Sequence, residues 1–228
     1  MASSGDPLGK RFRGNMSRIS GLVQLLFSSD LLKSTSVFGP SAGPRADVLR
    51  FIVVFLHANF EVVFRCRLPK AAGNVSFYSR QDFDKALKRI GVDAAPFRPL
   101  YPPLTQMARR RKEIVHNADL GRGDEPHEWS IADDWQLIMW LMAVPAFYYQ
   151  LRISLGLANV VEQAMYERFR AAMTKHVEFG NQLLAFPSVP KTHRLQALQK
   201  IAATLTEIVS TLRLNARDLM TGGGDVPV

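Results

Sequence analysis

The chain has 228 residues, of which 47% are hydrophobic and 21% charged, and its net charge is +9, from 29 Lys and Arg against 20 Asp and Glu. This is ordinary globular composition, long enough for one or two cores, and its positive excess suits polyanions, nucleic acid first among them, the alternative being a generally basic soluble protein. Cys66 is the only cysteine, which excludes an intrachain disulfide, and no Cys/His cluster has metal-ligand spacing, so no metal and no cofactor is expected. The polar, basic stretch Met1 to Gly14 lacks the apolar centre of a signal peptide. The longest apolar runs, Phe51 to Leu56 and Leu137 to Tyr149, fall short of the roughly 20 residues that span a bilayer. The expectation is a chain without a membrane segment in a reducing, cytoplasmic setting.

In chain order, residues 1–14 read as a flexible basic arm. Ile19, Leu22, Val23, Leu26 and Leu31 mark an amphipathic helix over 15–33. Gly39, Pro40, Gly43 and Pro44 mark a loop. The stretch from Asp47 to Arg67 is apolar on most sides and reads as a central helix. Its polar residues Asp47, Arg50, His57, Glu61 and Arg65 gather on one stripe. Ser79 offers an N-cap for a helix through Ile90, stopped at Gly91. Pro96, Pro99, Pro102 and Pro103 interrupt the chain before a helix over about 104–117. A polar loop, Gly121 to Pro126, precedes a helix from Ile131 with a bend near Pro145, then helices over 157–184 and 192–220. The tail 221–228 reads as disordered. No alternating strand pattern occurs, so the chain reads as a single all-α domain over 15–220. Its motif-bearing core is 15–120, and a C-terminal helical extension covers 130–220.

The chemistry concentrates in Arg109-Arg110-Arg111-Lys112-Glu113-Ile114-Val115-His116-Asn117-Ala118-Asp119. An imidazole moves protons near neutral pH, and a guanidinium holds phosphate through forked hydrogen bonds. Leu100, Leu104, Met107, Arg111, Ile114 and Ala118 step by four and three. Arg111 therefore stands in an apolar stripe, where it needs a partner or a cleft. Glu61 is its natural partner; the alternative is that Glu61 pairs locally with His57 and Arg65. Arg109, Arg110 and Lys112 lie off the stripe and read as solvated. His116, five residues beyond Arg111, is turned away from it by about 140° on a regular helix. Convergence of the two groups then calls for a distorted helix end, a long reach by Arg111, or a second copy of the motif from a partner chain.

RNA carries its own nucleophile, the 2′-hydroxyl. Cutting it requires a base, cationic donors for the phosphorane and an acid for the leaving 5′-oxygen, with each proton transfer worth ~10²–10⁴ in rate. A second Arg-to-His spacing, Arg170 to His176, reads as an exposed helix face, and His127 and His193 read as structural.

The run Arg110-Arg111-Lys112-Glu113-Ile114-Val115-His116-Asn117-Ala118-Asp119 resembles the R-x4-H motif of the HEPN superfamily, and within it the RiboL-PSP-HEPN branch. Arg45-Ala46-Asp47-Val48-Leu49-Arg50 leading into His57-Ala58-Asn59-Phe60-Glu61 resembles that branch's long central helix. The resemblance covers roughly residues 15–120. It implies an all-α bundle, a homodimer that joins two motifs, and metal-independent cleavage of single-stranded RNA or tRNA by a toxin or antiviral effector, with a cognate antitoxin or other regulator as partner. Carried over, Arg111 binds phosphate and His116 is catalytic. Lys112 stands where the family often has Asn. Glu61, Asn117 and Asp119 are supports, and Arg109 and Arg110 face RNA. Two further readings stand beside it. One is a non-catalytic helical module that binds nucleic acid or a protein. The other is an interaction protein that uses the Trp135, Trp140, Tyr148 and Tyr149 region as its contact surface.

Overall fold

The computed structural model describes residues 7–28, 44–66, 77–116, 127, 129 and 131–185, with Gln196 and Ala203 as single helical positions. Side chains are described over 7–26, 45–66, 77–116, 127, 129 and 133–176, and for those two isolated residues. The described residues form an all-α bundle and contain no strand. The loop expected before Pro44, the loop at 121–126, the tail at 221–228 and, apart from Gln196 and Ala203, the helix expected over 192–220 lie outside them.

Helix α1 is Pro7–Ser28. It starts well inside the stretch read as a flexible arm, with proline in the first turn, where its missing N–H costs nothing. Phe12, Met16, Ile19, Val23 and Leu26 are buried at helical spacing, and Phe12 stacks on Tyr148 with ring centroids 4.1 Å apart. Lys10, Arg11 and Arg13 hide Phe12 in the sequence, yet it is the first member of the buried stripe.

Helix α2 is Pro44–Arg65 and packs on α1. Helix α3, Arg80–Arg89, carries the expected cap. Ser79 Oγ accepts from Asp82 N, Ser79 N donates to Asp82 Oδ2, and Gly91 takes the left-handed φ of 72° just past the end.

A 3-10 helix, Ala95–Leu100, leads directly into α4, Tyr101–His116. Helix α4 begins three residues earlier than the spacing predicts. Pro102 and Pro103 fall in its first turn, where no intrahelical N–H is needed. Helix α5 is Ile131–Ser154 and α6 is Val160–Ala185.

The central helix is α5 rather than α2. Every described side chain from Asp133 to Leu151 is buried except the half-buried Gln136, and α5 packs against α6, α4, α2 and the 3-10 helix. Helix α2 leaves Phe51, Ala58 and Val62 exposed. The aromatic centre joins Phe60 and Phe64 of α2, Phe77, Phe83 of α3, Phe97 and Phe147 of α5 through centroid separations of 4.9–6.3 Å. Rings at such offset and edge-on geometries add stabilisation beyond their buried area. Trp135, Trp140, Tyr148 and Tyr149 all lie in this core. They pack inside the bundle and are not presented as a contact surface.

Ion pairs pin the ends of the bundle. Arg45 at the start of α2 grips Asp134 at the start of α5 with Nη2 at 2.6 and 2.7 Å from its two oxygens. Buried Glu162 joins three helices, at 2.9 Å from Arg152 and 3.5 Å from Arg13. No described helix is long and apolar enough to cross a membrane.

Candidate functional site

The site is the C-terminal half of α4, clamped on two sides. One flank packs on α2 and the other on α5 and the residues just before it. Two packed flanks set the fate of three consecutive arginines, because each residue advances about 100° around the helix.

Arg110 is the buried one, at 6% exposure. Its guanidinium lies 4.6 Å from the centroid of the Trp129 ring, and its Nη1 is 3.1 Å from Glu113 Oε2. Cation–π contact and a one-turn ion pair together make this residue a fastener between α4 and the entry to α5. This corrects the reading of Arg110 as a solvated, RNA-facing residue. The apolar stripe locates one packed flank of α4, and Trp129 supplies the other from more than one turn of sequence away.

Arg111 is half-buried and turned toward α2. Its charge reaches His57, a buried imidazole at 2% exposure. Burial, opposed by Glu61 and reinforced by Arg111 and Arg65, lowers the His57 pKa to about 4. His57 is therefore neutral at pH 7. Its Nε2 has no hydrogen-bond partner among the described residues. The expected Glu61–Arg111 pair is replaced by the local alternative: Glu61 sits 3.4 Å from Arg65 Nη2 and 3.9 Å from His57 Nδ1. Spacing of four on one helix puts those partners within reach of Glu61 before α4 packs at all. His57, Glu61 and Arg65 of α2 and Arg111 of α4 thus form a polar seam between the two helices.

His116 is exposed, as the last residue of α4. Its neighbours by helical spacing are Glu113, three residues back and paired with Arg110, Lys112, four back, and Arg109, seven back; all three are exposed. Lys112 Nζ also lies 5.9 Å from the centroid of Tyr78, just before α3. One outward face therefore carries two cations and an imidazole, a grouping that can receive phosphate oxygens and exchange a proton. Arg111 belongs to a different side of the helix. Asn117 and Asp119 lie outside the described residues.

Sequence reasoning left two histidines out of the site. His57 was placed on the polar stripe of a nearly continuous apolar helix but not recognised as a buried, neutral imidazole. His127 had no signal beyond its proximity to two aspartates: its Nε2 lies 3.0 Å from Asp133 Oδ1. The other Arg-to-His spacing shows no comparable grouping, since Arg170 is exposed and His176 half-buried, with its pKa lowered by burial and then by Lys175. Among the described residues no group of three or more His, Cys, Asp or Glu is placed to hold a metal ion.

The fold and the site define an all-α bundle with a cationic, histidine-bearing helix end. No protein-family model, no curated protein and no solved structure matches the chain.

Proposed function

We propose that this protein is a metal-independent endoribonuclease of the HEPN kind. RNA, single-stranded or tRNA, is its substrate. The 2′-hydroxyl attacks the adjacent phosphorus, the bond to the 5′-oxygen breaks, and the products are a 2′,3′-cyclic phosphate and a 5′-hydroxyl. His116 transfers protons, Arg111 binds the phosphate, and Arg109 and Lys112 hold the RNA backbone. The observation that carries this reading is the exposed face of α4, where His116 stands one turn from Lys112 and two turns from Arg109. Arg111 faces α2 instead, so one chain does not aim Arg111 and His116 at one point. A homodimer in which each chain lends one group to the other's site resolves that divergence. Toxicity or antiviral defence, held in check by an antitoxin or other regulator, is the role that suits such an enzyme.

A second reading keeps the same face and removes the chemistry: a helical module that binds nucleic acid or a protein partner without cutting. The two separate in one assay. Labelled RNA is incubated in EDTA with wild type, His116→Ala and Arg111→Ala. The nuclease reading expects cleavage by wild type that falls by ~10²-fold or more in each variant. Equal binding by all three with no cleavage establishes the module instead.

A further inference from the structure

Tyr78 stands just before α3, between a core residue and a helix cap. Phe77 on one side is 1% exposed and meets Phe60 and Phe64 edge-on, and Ser79 on the other is the N-cap of α3. Both neighbours are anchored, so the backbone at Tyr78 is held in place. Phe77 is turned into the aromatic centre, and Tyr78 is left half-buried at the surface. What it meets there is α4: Lys112 Nζ lies 5.9 Å from the centroid of its ring. Lys112 is one turn from His116, so Tyr78 borders the cationic face of α4 itself.

The two cation–π contacts of α4 differ in kind. Arg110 is buried and lies 4.6 Å from the Trp129 centroid. Lys112 is exposed, and its 5.9 Å is close to the ~6 Å at which a ring ceases to attract a cation. The first contact fastens the helix. The second is loose, and a lysine on its flexible stem can turn from the ring to a phosphate oxygen without unpacking α4. Glu113, the one carboxylate of α4, is paired with Arg110 rather than with Lys112.

An ammonium beside an aromatic ring supplies both halves of a single-strand site: the cation takes a phosphate, and the ring takes the face of a base. Every base has such a face, so the fit is tolerant of sequence. In a duplex both faces of a base are covered by its neighbours in the stack, so an unpaired nucleotide is required. We propose that Tyr78 is the platform on which an unpaired base stacks when RNA lies along the outward face of α4, with Lys112 on the adjoining phosphate. This rests on the reading of that face as an RNA site, and it narrows the substrate to single strands and loops. Tyr78 binds the strand beside His116 and moves no proton.

The probe is a labelled single strand of 2′-O-methyl RNA, which lacks the attacking hydroxyl and stays whole. Its affinity for the intact protein is read by fluorescence anisotropy beside that of a strand of equal length with abasic sugars throughout. Wild type, Tyr78→Phe and Tyr78→Leu are compared; leucine keeps apolar bulk against α4 and removes the ring. Tyr78→Leu is expected to lose ~5–150-fold on the base-bearing strand. Tyr78→Phe keeps wild-type affinity, and neither substitution alters affinity for the abasic strand. Annealing the base-bearing strand to its complement abolishes the difference between wild type and Tyr78→Leu. Wild-type affinity in Tyr78→Leu overturns the proposal, and so does an equal loss on both strands, which makes the ring a mere prop for Lys112. A wild type that binds the two strands equally overturns it without recourse to any variant. Cleavage of ordinary RNA in EDTA is followed alongside. Cleavage with no effect of Tyr78 leaves the nuclease reading standing and ends the platform. Tyr78-dependent binding without cleavage keeps the platform and ends the nuclease reading. A wild type that neither binds nor cuts ends both.

Discussion

His57 makes the bundle acid-sensitive in a way that can be worked out. Its folded pKa of about 4 lies below the ordinary 6.5, chiefly because burial penalises the charged ring. Above pH 6.5 the imidazole is neutral folded or unfolded and contributes nothing to the pH dependence. As pH falls from 6.5 toward 4, the unfolded chain takes up a proton that the folded chain refuses, so stability declines. Linkage at pH 4.5 gives a loss of about 2–3 kcal/mol from this one residue. His57→Leu keeps the site filled and removes the proton. Urea unfolding of both proteins is followed by circular dichroism at pH 7.5 and 4.5. For a chain of this size the loss corresponds to a midpoint shift of roughly 1 M in wild type beyond that in His57→Leu. Other groups, among them the buried Asp134 and half-buried His176, titrate in both proteins and cancel in the comparison. Equal midpoint shifts in the two proteins would refute the claim that His57 is buried neutral between α2 and α4.

Three further outcomes are expected. Arg110→Ala removes the contact with Trp129 and lowers stability by about 1–3 kcal/mol, whereas Arg109→Ala, on the exposed face, changes it by less than about 0.5; thermal melting separates them at roughly 2–4 °C per kcal/mol. Arg109→Ala and Lys112→Ala each weaken binding to single-stranded RNA and each reduce the slope of log K against log salt by about 0.7, read from titrations at several salt concentrations. Ser79→Ala deletes the side-chain acceptor for Asp82 N and costs about 1 kcal/mol by urea unfolding, with no change in RNA affinity.

The local features were legible because they are local. The Ser79 cap and the Gly91 stop each depend on residues within one turn of one another. The pairing of Glu61 with His57 and Arg65 is of the same kind, since a spacing of four brings side chains together on any helix. Phe12 was lost for the opposite reason: three cations in four positions mask an apolar stripe that continues through Met16 and Ile19.

By itself, then, the sequence determined the all-α character of the described residues, the positions of α2 to α6 to within a few residues, and the angular divergence of Arg111 from His116. Those follow from periodicity, capping and the pitch of a helix. Only the tertiary structure decided which of three adjacent arginines goes inside, that His57 loses its charge, and that His127 meets Asp133. Neighbouring helix positions differ by about 100°, so the choice among Arg109, Arg110 and Arg111 belongs to whatever packs alongside. Here Trp129 takes Arg110, α2 takes Arg111, and Arg109 remains in water.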